Sequence, residues 1–336
     1  MTAAELRALL ADVPDATVVP APEDVATIDA AVRYLESDAA ITSIAVDTYW
    51  PKWASPWWQM TLLWELGLAQ RIPARVVRAM VDGLNALPLH IFPIRPDEWP
   101  PGSDPRRDIS CHCALGTMDQ VLTACGVDVD AELPWVRPWF ERYQMADGGL
   151  NCDDAAYAVT DECPSSMVGT VAAFEAMLRR GDGAFVARAA AFLIDRQLRL
   201  GSPTRHNAEE RDAALAWTQL TFPRFYYYDV LRGLAALVRW ATQLTKTIPV
   251  AAISDVVRAL VAQSRDGTLV VGRQAYAAIG TWAYDPDGTW TRKPKGGHFP
   301  LLDATSRIGG KSAALTRSWQ DTRRSLVALI DAGRVA

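Results

Sequence analysis

The sequence lacks the features that mark exported, membrane-spanning or nucleic-acid-binding chains. Its first residues, MTAAELRALLADVPDA, contain no basic start followed by an apolar run, so we expect no signal peptide. No apolar run approaches the ~20 residues that a membrane-spanning helix needs. The net charge is −5 and no stretch is rich in Lys and Arg, which argues against a nucleic-acid partner. We therefore expect a cytoplasmic protein with no integral membrane span.

Cysteine is also scarce, and its count is odd. An odd number of cysteines in a long chain without an export signal argues against a disulfide framework. We expect reduced thiols, most of which would pack as small buried hydrophobic side chains. The five cysteines are Cys111, Cys113, Cys125, Cys152 and Cys163.

Hydrophobic residues make up 50% of the chain and charged residues 22%, which is enough apolar material to bury a large core. Alternating, strand-like patterns are rare, and Thr268–Val271 is the one short candidate. Apolar residues recur instead at three- and four-residue spacing, which predicts an all-α fold. Although 336 residues is long for one domain, helical repeats grow by adding units. We predict a single domain over residues 1–336.

The predicted helices come in pairs, with Gly or Pro at most of the joints. Three second helices end in Gln-x-x-x-Gly, at Gln144, Gln197 and Gln263, which indicates an internal repeat. Residues 88–108 hold six prolines and predict a wrapping loop or lid, and residues 284–310 predict a Gly-rich loop before the last helix. The predicted pairs are Pro56–Ala69 with Pro73–Leu87, Ile109–Cys125 with Asp130–Tyr143, Ser165–Arg180 with Gly183–Leu198, Pro223–Ala241 with Val250–Gln263, and Lys311–Asp331 with Pro22–Glu36.

Two segments carry a resemblance to a known superfamily. Gln144–Leu150 reads QMADGGL and resembles the Gln-x-x-Asp-Gly-Gly-aromatic repeat of the terpene cyclase and protein prenyltransferase α/α-toroids. Phe222–Leu234 (FPRFYYYDVLRGL) resembles an inner helix of that superfamily, and the resemblance spans about Ile109 to Ala332. It implies a divergent ring of about five to six helical hairpins around an apolar central cavity that takes a small-molecule substrate. Fold alone does not imply a reaction.

The resemblance also implies a zinc site. Zinc-bearing prenyltransferase subunits carry Asp-x-Cys after a Gly-Gly-aromatic turn, and Asp161-Glu162-Cys163 follows such a turn here. The family histidine falls at Tyr226 or a neighbouring tyrosine, which is a poor zinc ligand. Cys152 is our replacement ligand, with Asp153, His206 and Asp229 as other candidates. The competing interpretation is structural, in which Asp161 caps a helix and Cys163 packs.

A second resemblance implies acid catalysis without a metal. Asn151–Ala156 (NCDDAA) resembles the acid motif of proton-initiated terpene cyclases, with Asp153 as the general acid. That chemistry needs a buried carboxylic acid and aromatic faces that stabilise a cation. Solvated loop carboxylates are the competing interpretation. The candidate catalytic partners are Tyr226 and Tyr228, and the candidate substrate-binding aromatics are Trp57, Phe225, Tyr227 and Trp282.

Cys111-His112-Cys113 is the remaining cluster of reactive side chains. Consecutive helical positions point about 100° apart, so we expect that these three do not share one metal. His112 is the catalytic candidate among them, and the competing interpretation, which the pattern favours, is two buried thiols and a polar histidine at a helix start. Three functions stay open: a zinc-dependent enzyme, a metal-free cyclase or isomerase, and a non-catalytic binding or interaction module. No organic cofactor is evident. Family prenyltransferases need a second subunit, but the sequence does not indicate a surface for one, so the oligomeric state stays open.

Overall fold

The computed structural model describes residues 1–18, 22–90, 92, 95–104, 108, 111–181 and 183–336. This part of the chain is mostly helical, which confirms the all-α prediction. It holds short 3-10 helices at Ala69–Arg71, Pro96–Glu98 and Asp154–Ala158. Its α-helices are α1 (Ala3–Ala11), α2 (Pro22–Glu36), α3 (Asp38–Val46), α4 (Pro56–Glu65), α5 (Ala74–Asn85), α6 (His112–Ala124), α7 (Val129–Glu132), α8 (Val136–Tyr143), α9 (Met167–Leu178), α10 (Ala184–Asp195), α11 (Glu209–Ala214), α12 (Val230–Gln243), α13 (Val250–Gln263), α14 (Pro300–Thr305) and α15 (Ala313–Asp331).

Five of these helices follow one another in space. Helix α4 packs against α6, α6 against α9, α9 against α12, and α12 against α15. Arg317 of α15 then donates from Nη2 to the Leu66 carbonyl oxygen at the end of α4, at 2.9 Å. Nearly every side chain of α6 and α9 is buried, as expected for helices with neighbours on all sides.

The remaining long helices pack outside this series. Helix α10 contacts α9, α13 contacts α12, and α1 contacts both α13 and α15. Helices α5 and α8 each have a clearly apolar face and a polar face, so one side packs on the core while the other meets solvent. No helix in the described part of the chain is both long enough and apolar enough to cross a bilayer.

Glycine permits two of the closest approaches between elements. A Cβ at Gly116 of α6 would collide with the backbone of Ala172 and Ala173 in α9, so only glycine allows these helices to lie so close. Gly148, at φ +91°, lies against the Arg188 carbonyl of α10 in the same way. Gln144 supports that contact, since its Nε2 donates to the Gly148 and Phe185 carbonyl oxygens, each at 2.8 Å.

Several predicted boundaries are wrong. Residues 223–229 are not helical, and α12 begins only at Val230, because the Asp229 side chain accepts the Arg232 N–H as an N-cap. The predicted helix Asp130–Tyr143 is divided into α7 and α8 near a proline. The predicted strand Thr268–Val271 makes only a single bridge, from Val270 to Lys311.

The C-terminal third also departs from its predicted pairing. Helix α15 packs on α12 and α1, whereas α2 packs on α14. The segment predicted as a Gly-rich loop contains α14 and most of an antiparallel hairpin, Thr281–Tyr284 with Trp290–Lys293. Parts of the Pro-rich segment 88–108, and residues 109–110 of the predicted helix Ile109–Cys125, lie outside the described residues. The lid therefore stays a prediction.

Candidate metal centre and cavity

Three cysteine sulfurs converge at the N-terminal end of α6. The Sγ atoms of Cys111 and Cys113 are 3.2 Å apart, and the Sγ of Cys152 lies 3.3 Å from that of Cys113. All three sulfurs lie within 4.8 Å of one another, so the group could hold a metal ion. In the described part of the chain no other group of three His, Cys, Asp or Glu side chains converges in this way. We call these residues the thiol cluster.

The thiol cluster forms because Cys111 lies just outside the helix. Its backbone is extended, with φ −123° and ψ 164°, and it occupies the N-cap position of α6, while Cys113 lies in the first turn. The expectation that Cys111, His112 and Cys113 do not all bind one metal agrees with the converging group, which contains both cysteines but not His112. The angular reason behind that expectation does not separate the two cysteines, because Cys111 is extended and not helical. An extended N-cap residue lets its side chain turn back over the first turn of the helix.

Cys152 is brought to this helix end by a fixed loop. The Ser166 N–H donates to the Leu150 carbonyl oxygen at 2.8 Å, and Leu150 N–H donates to Thr170 Oγ1 at 2.8 Å. Asn151 Nδ2 donates across the base of the loop to the Pro164 carbonyl oxygen at 2.5 Å. These bonds tie both ends of the loop to the start of α9. The position of Cys152 therefore follows from the contact between α6 and α9.

Proton sharing within the cluster favours one thiolate. Hydrogen bonds from Cys113 and Cys152 lower the pKa of the Cys111 thiol well below its usual value. The same hydrogen bonds, together with burial, raise the pKa of Cys113. The positive end of the α6 dipole also favours negative charge on these two residues. A cation bound by the three sulfurs would displace the remaining thiol protons.

Lys52, Tyr49, Tyr226 and Tyr227 interact electrostatically with the thiol cluster. Lys52 Nζ donates to Tyr226 Oη at 3.2 Å and lies 5.3–5.8 Å from the ring centroids of Tyr49, Trp50, Trp53 and Tyr226. Burial lowers the pKa of Lys52, while the negative charge of the cysteines opposes that shift. Burial, with the charge of Cys113 as a smaller contribution, raises the pKa of Tyr226 and Tyr227. The hydroxyl groups of these tyrosines are therefore neutral and can act as hydrogen-bond donors.

The predicted zinc ligands are only partly brought together. Cys152 belongs to the thiol cluster, whereas Asp161 is exposed and its Oδ2 pairs with Arg205 Nη2 at 2.6 Å. The Sγ of Cys163 lies 3.6 Å from Ser165 Oγ, and neither Asp161 nor Cys163 is part of the converging group. The Asp-x-Cys pattern therefore does not carry this candidate centre.

His112 is fully buried, and both of its ring nitrogens have partners. Nδ1 accepts from Trp139 Nε1 at 2.8 Å, and Nε2 lies 2.9 Å from Tyr157 Oη. Burial lowers the pKa of His112 to about 3, against a smaller opposing effect from Cys111, so the ring is neutral. No free nitrogen is left for a metal or a substrate proton, and the geometry describes a packing residue that fixes the start of α6.

Asp153 lies in an environment unlike the one that alkene protonation requires. Its side chain is 52% exposed and its Oδ2 lies 2.9 Å from His206 Nε2. Its Oδ1 accepts the Ala155 N–H and caps the short helix Asp154–Ala158. A general acid of that strength needs a buried carboxyl group, which Asp153 is not.

The predicted aromatic residues are dispersed. Phe225 stacks on Trp53 with centroids 5.1 Å apart, and Tyr227 lies beside Tyr226, close to the thiol cluster. Tyr228 is fully buried and donates from Oη to the Leu198 carbonyl oxygen at 2.7 Å. Trp57 is a fully buried residue of α4, and Trp282 is half-buried in the hairpin. Tyr226, Tyr227 and Phe225 are therefore the members near a candidate site.

A separate cavity of about 990 Å³ lies among α4, α6, α9, α12 and α15. One wall is a buried ion pair in which Arg232 donates from Nε and Nη2 to Glu175 Oε2, at 3.1 and 2.7 Å. Gln120 Nε2 donates to the same oxygen at 3.3 Å. Glu65 forms another wall, where its carboxylate accepts the Arg224 N–H at 2.8 Å and the Phe225 N–H at 2.5 Å. Burial nevertheless raises the pKa of Glu65 to about 7.

Sequence reasoning did not select the cysteine pair of α6, Lys52, Glu65 or the arginines of the cavity. The one available signal for the pair was Cys-x-Cys at a helix start, where an extended first residue makes convergence feasible. Lys52 and Glu65 contact residues more than 150 positions away, which no local pattern encodes.

The chain matches no protein-family model, no curated protein and no solved structure.

Proposed function

We propose that this protein is a metal-dependent enzyme whose thiol cluster, Cys111, Cys113 and Cys152, holds a zinc ion and presents it to a small-molecule substrate. The observation that carries the proposal is the convergence of the three sulfurs within 4.8 Å. Around a tetrahedral zinc with Zn–S bonds of about 2.3 Å, sulfurs lie about 3.8 Å apart. Small side-chain rotations from the observed spacing would satisfy that geometry.

The number of ligands favours catalysis over a structural role. Structural zinc sites in proteins are closed by four side chains, whereas catalytic sites use three and leave the fourth position for water or substrate. Three sulfurs converge here, and the partly exposed Cys111 and Cys152 leave one side open. A zinc ion in this position would supply Lewis acidity or lower the pKa of a bound water or thiol.

The protein groups beside the cluster suit substrate positioning. Three thiolates around Zn²⁺ leave one net negative charge, and the Lys52 ammonium, which interacts with all three cysteines, balances it. The neutral hydroxyls of Tyr49, Tyr226 and Tyr227 can orient a polar group of the substrate. The half-buried Trp50 offers an apolar surface for the rest of a partly apolar molecule.

We further propose that the helices close into an α/α toroid. The serial contacts from α4 through α6, α9 and α12 to α15 support this ring, as does the hydrogen bond from Arg317 back to Leu66. A cavity lined by all five helices is what a ring of inner helices would enclose. The cavity also argues against the interaction-module alternative, in which side chains fill the centre. The exposure of Asp153 argues against the acid-initiated alternative.

Elemental analysis tests the metal proposal. Protein purified without chelator should carry one zinc per chain, and Cys111→Ser, Cys113→Ser and Cys152→Ser should each lose it while helical circular dichroism persists. Cobalt reconstitution should give a thiolate-to-cobalt charge-transfer band in the near ultraviolet that these variants lack. Cys125→Ser is the matched control for the loss of one thiol. Asp161→Asn and Cys163→Ser should retain the metal, and metal loss in either of them with retention in Cys113→Ser would overturn the assignment.

A further inference from the structure

The thiol cluster places two pairs of sulfur atoms in direct contact. Cys113 Sγ lies 3.2 Å from Cys111 Sγ on one side and 3.3 Å from Cys152 Sγ on the other. The sulfurs of a disulfide are about 2.05 Å apart, so either contact becomes a covalent bond after an approach of little more than 1 Å. All five cysteines of the chain are free thiols in the structure. Cys113 is the sulfur that both contacts share.

Burial gives the three cysteines different access to an oxidant. Cys113 is 3% exposed, whereas Cys111 and Cys152 are half-buried and can meet a small oxidant from solvent. Oxidation of cysteine follows exposure, and its first product is a sulfenic acid. A second thiol in contact with that sulfur converts the sulfenic acid to a disulfide. Cys113 has the position of this second thiol for either of its neighbours.

The connectivity of the chain favours the pair Cys113 and Cys152. Cys111 and Cys113 are separated by one residue, so a disulfide between them would close a small covalent ring across the start of α6. Strained disulfides of this kind are the ones that are readily reduced or exchanged. Cys152 lies on the loop that the Leu150–Ser166 bridge closes, so its bond to Cys113 joins two separate segments. If the strained disulfide forms first, Cys152 can attack Cys113 from 3.3 Å and release Cys111.

The other two cysteines contact oxygen atoms rather than sulfur. Cys125 Sγ donates to the Ala69 carbonyl oxygen at 3.7 Å, and Cys163 Sγ lies 3.6 Å from Ser165 Oγ. A sulfenic acid on either of these two sulfurs would have an oxygen atom, and not a thiol, as its neighbour. The cysteines arranged for disulfide formation are therefore those of the thiol cluster, and Cys125 and Cys163 are the matched controls.

We propose that the thiol cluster is a site of reversible oxidation, at which hydrogen peroxide converts Cys113 and Cys152 to a disulfide. The Cys152 sulfur attacks the peroxide, an S–O bond forms as the O–O bond breaks, and the released hydroxide leaves as water with the Cys152 proton. The Cys113 sulfur then attacks the Cys152 sulfur, the S–O bond breaks, and the second hydroxide leaves as water with the Cys113 proton. Two thiols thus lose two electrons and two protons, and one peroxide is reduced to two waters. A dithiol reductant reverses the change by thiol–disulfide exchange.

The disulfide would also regulate the metal centre, and this consequence rests on the proposed zinc function. Cys113 and Cys152 supply two of the three converging sulfurs, and the thiolate form of cysteine is the one that binds a metal. Oxidation leaves Cys111 as the one thiolate of the cluster, whereas zinc sites in proteins use three or four side chains. Peroxide would therefore release the ion, and reduction would restore the site.

Thiol counting and peptide mapping of chelator-treated protein test the disulfide itself. The variant C125S/C163S leaves three of the five cysteines, and one equivalent of hydrogen peroxide should remove two of these three thiols from the count. Dithiothreitol should restore both. Trypsin separates Cys113 from Cys152, because arginines lie between them, so mass spectrometry should find the two peptides joined with the loss of two hydrogen atoms. In this background Cys111→Ser should keep the cross-link and Cys113→Ser should lose it, with helical circular dichroism unchanged in both.

The outcomes separate this proposal from the zinc proposal. In zinc-loaded protein, a chromogenic chelator should detect release of the metal in step with the loss of two thiols. Disulfide formation in a protein that binds no zinc would support the oxidation site and refute the metal function, and zinc binding without disulfide formation would do the reverse. The assignment of the pair is overturned by a disulfide confined to the peptide that holds Cys111 and Cys113, or by a cross-link that persists in Cys113→Ser. Sulfinic acid as the main product would overturn the proposal as a whole, because that oxidation is not reversed by a thiol.

Discussion

The ion pair between Glu175 and Arg232 should be the strongest point of coupling between α9 and α12. The Arg232 side chain is 4% exposed and that of Glu175 is 9% exposed, and both hydrogen bonds between them meet at one carboxylate oxygen. Replacing either residue by methionine leaves the other as a buried, unpaired charge. We expect Glu175→Met and Arg232→Met each to lower the free energy of unfolding by about 3–5 kcal/mol.

The double variant E175M/R232M should lose less than either single variant, because no uncompensated charge is left in the interior. It still orphans the Phe225 and Tyr227 carbonyl oxygens that Arg232 Nη1 satisfies, at about 1 kcal/mol each. Urea unfolding followed by circular dichroism and tryptophan fluorescence measures all three variants. If the effects of the single substitutions simply add in the double variant, to within about 0.5 kcal/mol, the two charges are not coupled and the reasoning fails.

The pH dependence gives the same test a second readout. Burial raises the pKa of Glu175, but the charge and hydrogen bonds of Arg232 outweigh burial and hold it below the usual value. The pair therefore stabilises the fold at pH values above the pKa that Glu175 has in the unfolded chain. This stabilisation is lost as the pH falls through the lower pKa that Glu175 has in the folded protein. In Arg232→Met, burial is opposed only by the smaller effects of the Arg239 charge and the Gln120 hydrogen bond, so the pKa of Glu175 should rise and its carboxyl group should take up a proton more readily. The penalty of that substitution should then be smaller at about pH 5 than at about pH 7.

Two further predictions concern the same helices. Glu65 has a pKa of about 7 in the folded protein against 4.5 in the unfolded chain, so the folded state holds its proton more tightly. The contribution of Glu65 to the free energy of unfolding should be complete below pH 4.5 and should fall by up to about 3 kcal/mol as the pH rises through 7. Urea unfolding at several pH values should show that slope in the unmodified protein and not in Glu65→Gln. Gly116→Ala should lower the free energy of unfolding by about 3 kcal/mol by forcing α6 from α9, and a loss below about 1 kcal/mol in thermal melts would contradict so close a contact.

Helix positions were predictable where the local pattern and the tertiary packing agree. Met167–Leu178 lies inside the predicted Ser165–Arg180, and Ala184–Asp195 lies inside the predicted Gly183–Leu198. Both helices are apolar over most of their length, and glycine stands at the joint between them. Periodicity therefore reports the packed state correctly for these two helices.

Residues 223–229 show where that reasoning fails. The pattern FYYYDVLRGL is compatible with a helix, but Glu65 holds the Arg224 and Phe225 N–H groups from a position far away in the chain. Phe225 adopts φ +52°, outside the helical region, and Asp229 starts the helix instead. Contacts over such sequence separations are invisible to a local pattern. For this reason the tyrosines were predicted on a helix although they precede it.

The thiol cluster was missed for a related reason. The angle of about 100° between successive side chains applies only inside a helix. Cys111 lies one residue before α6, so this angle does not separate its side chain from that of Cys113. Cys152 arrives through the bridge between Leu150 and Ser166, which follows from the packing of α9 on α6. Cys152, which was among the predicted zinc ligands, belongs to the converging group. Asp161 and Cys163, which the resemblance implied as its companions, do not.

The segment 222–229 lies between the thiol cluster and the cavity, and two residues of the cavity wall bind its backbone. Tyr226 and Tyr227 interact with the thiol cluster, while Arg224 and Phe225 line the cavity. Its backbone is fixed by Glu65 through two N–H groups and by Arg232 through the Phe225 and Tyr227 carbonyl oxygens. The charged residues of the cavity wall therefore also fix the backbone that carries Tyr226 and Tyr227. Burying charged groups costs free energy of folding. Here the buried charges also form the hydrogen bonds that hold the irregular segment 222–229 in one conformation, between the thiol cluster and the cavity.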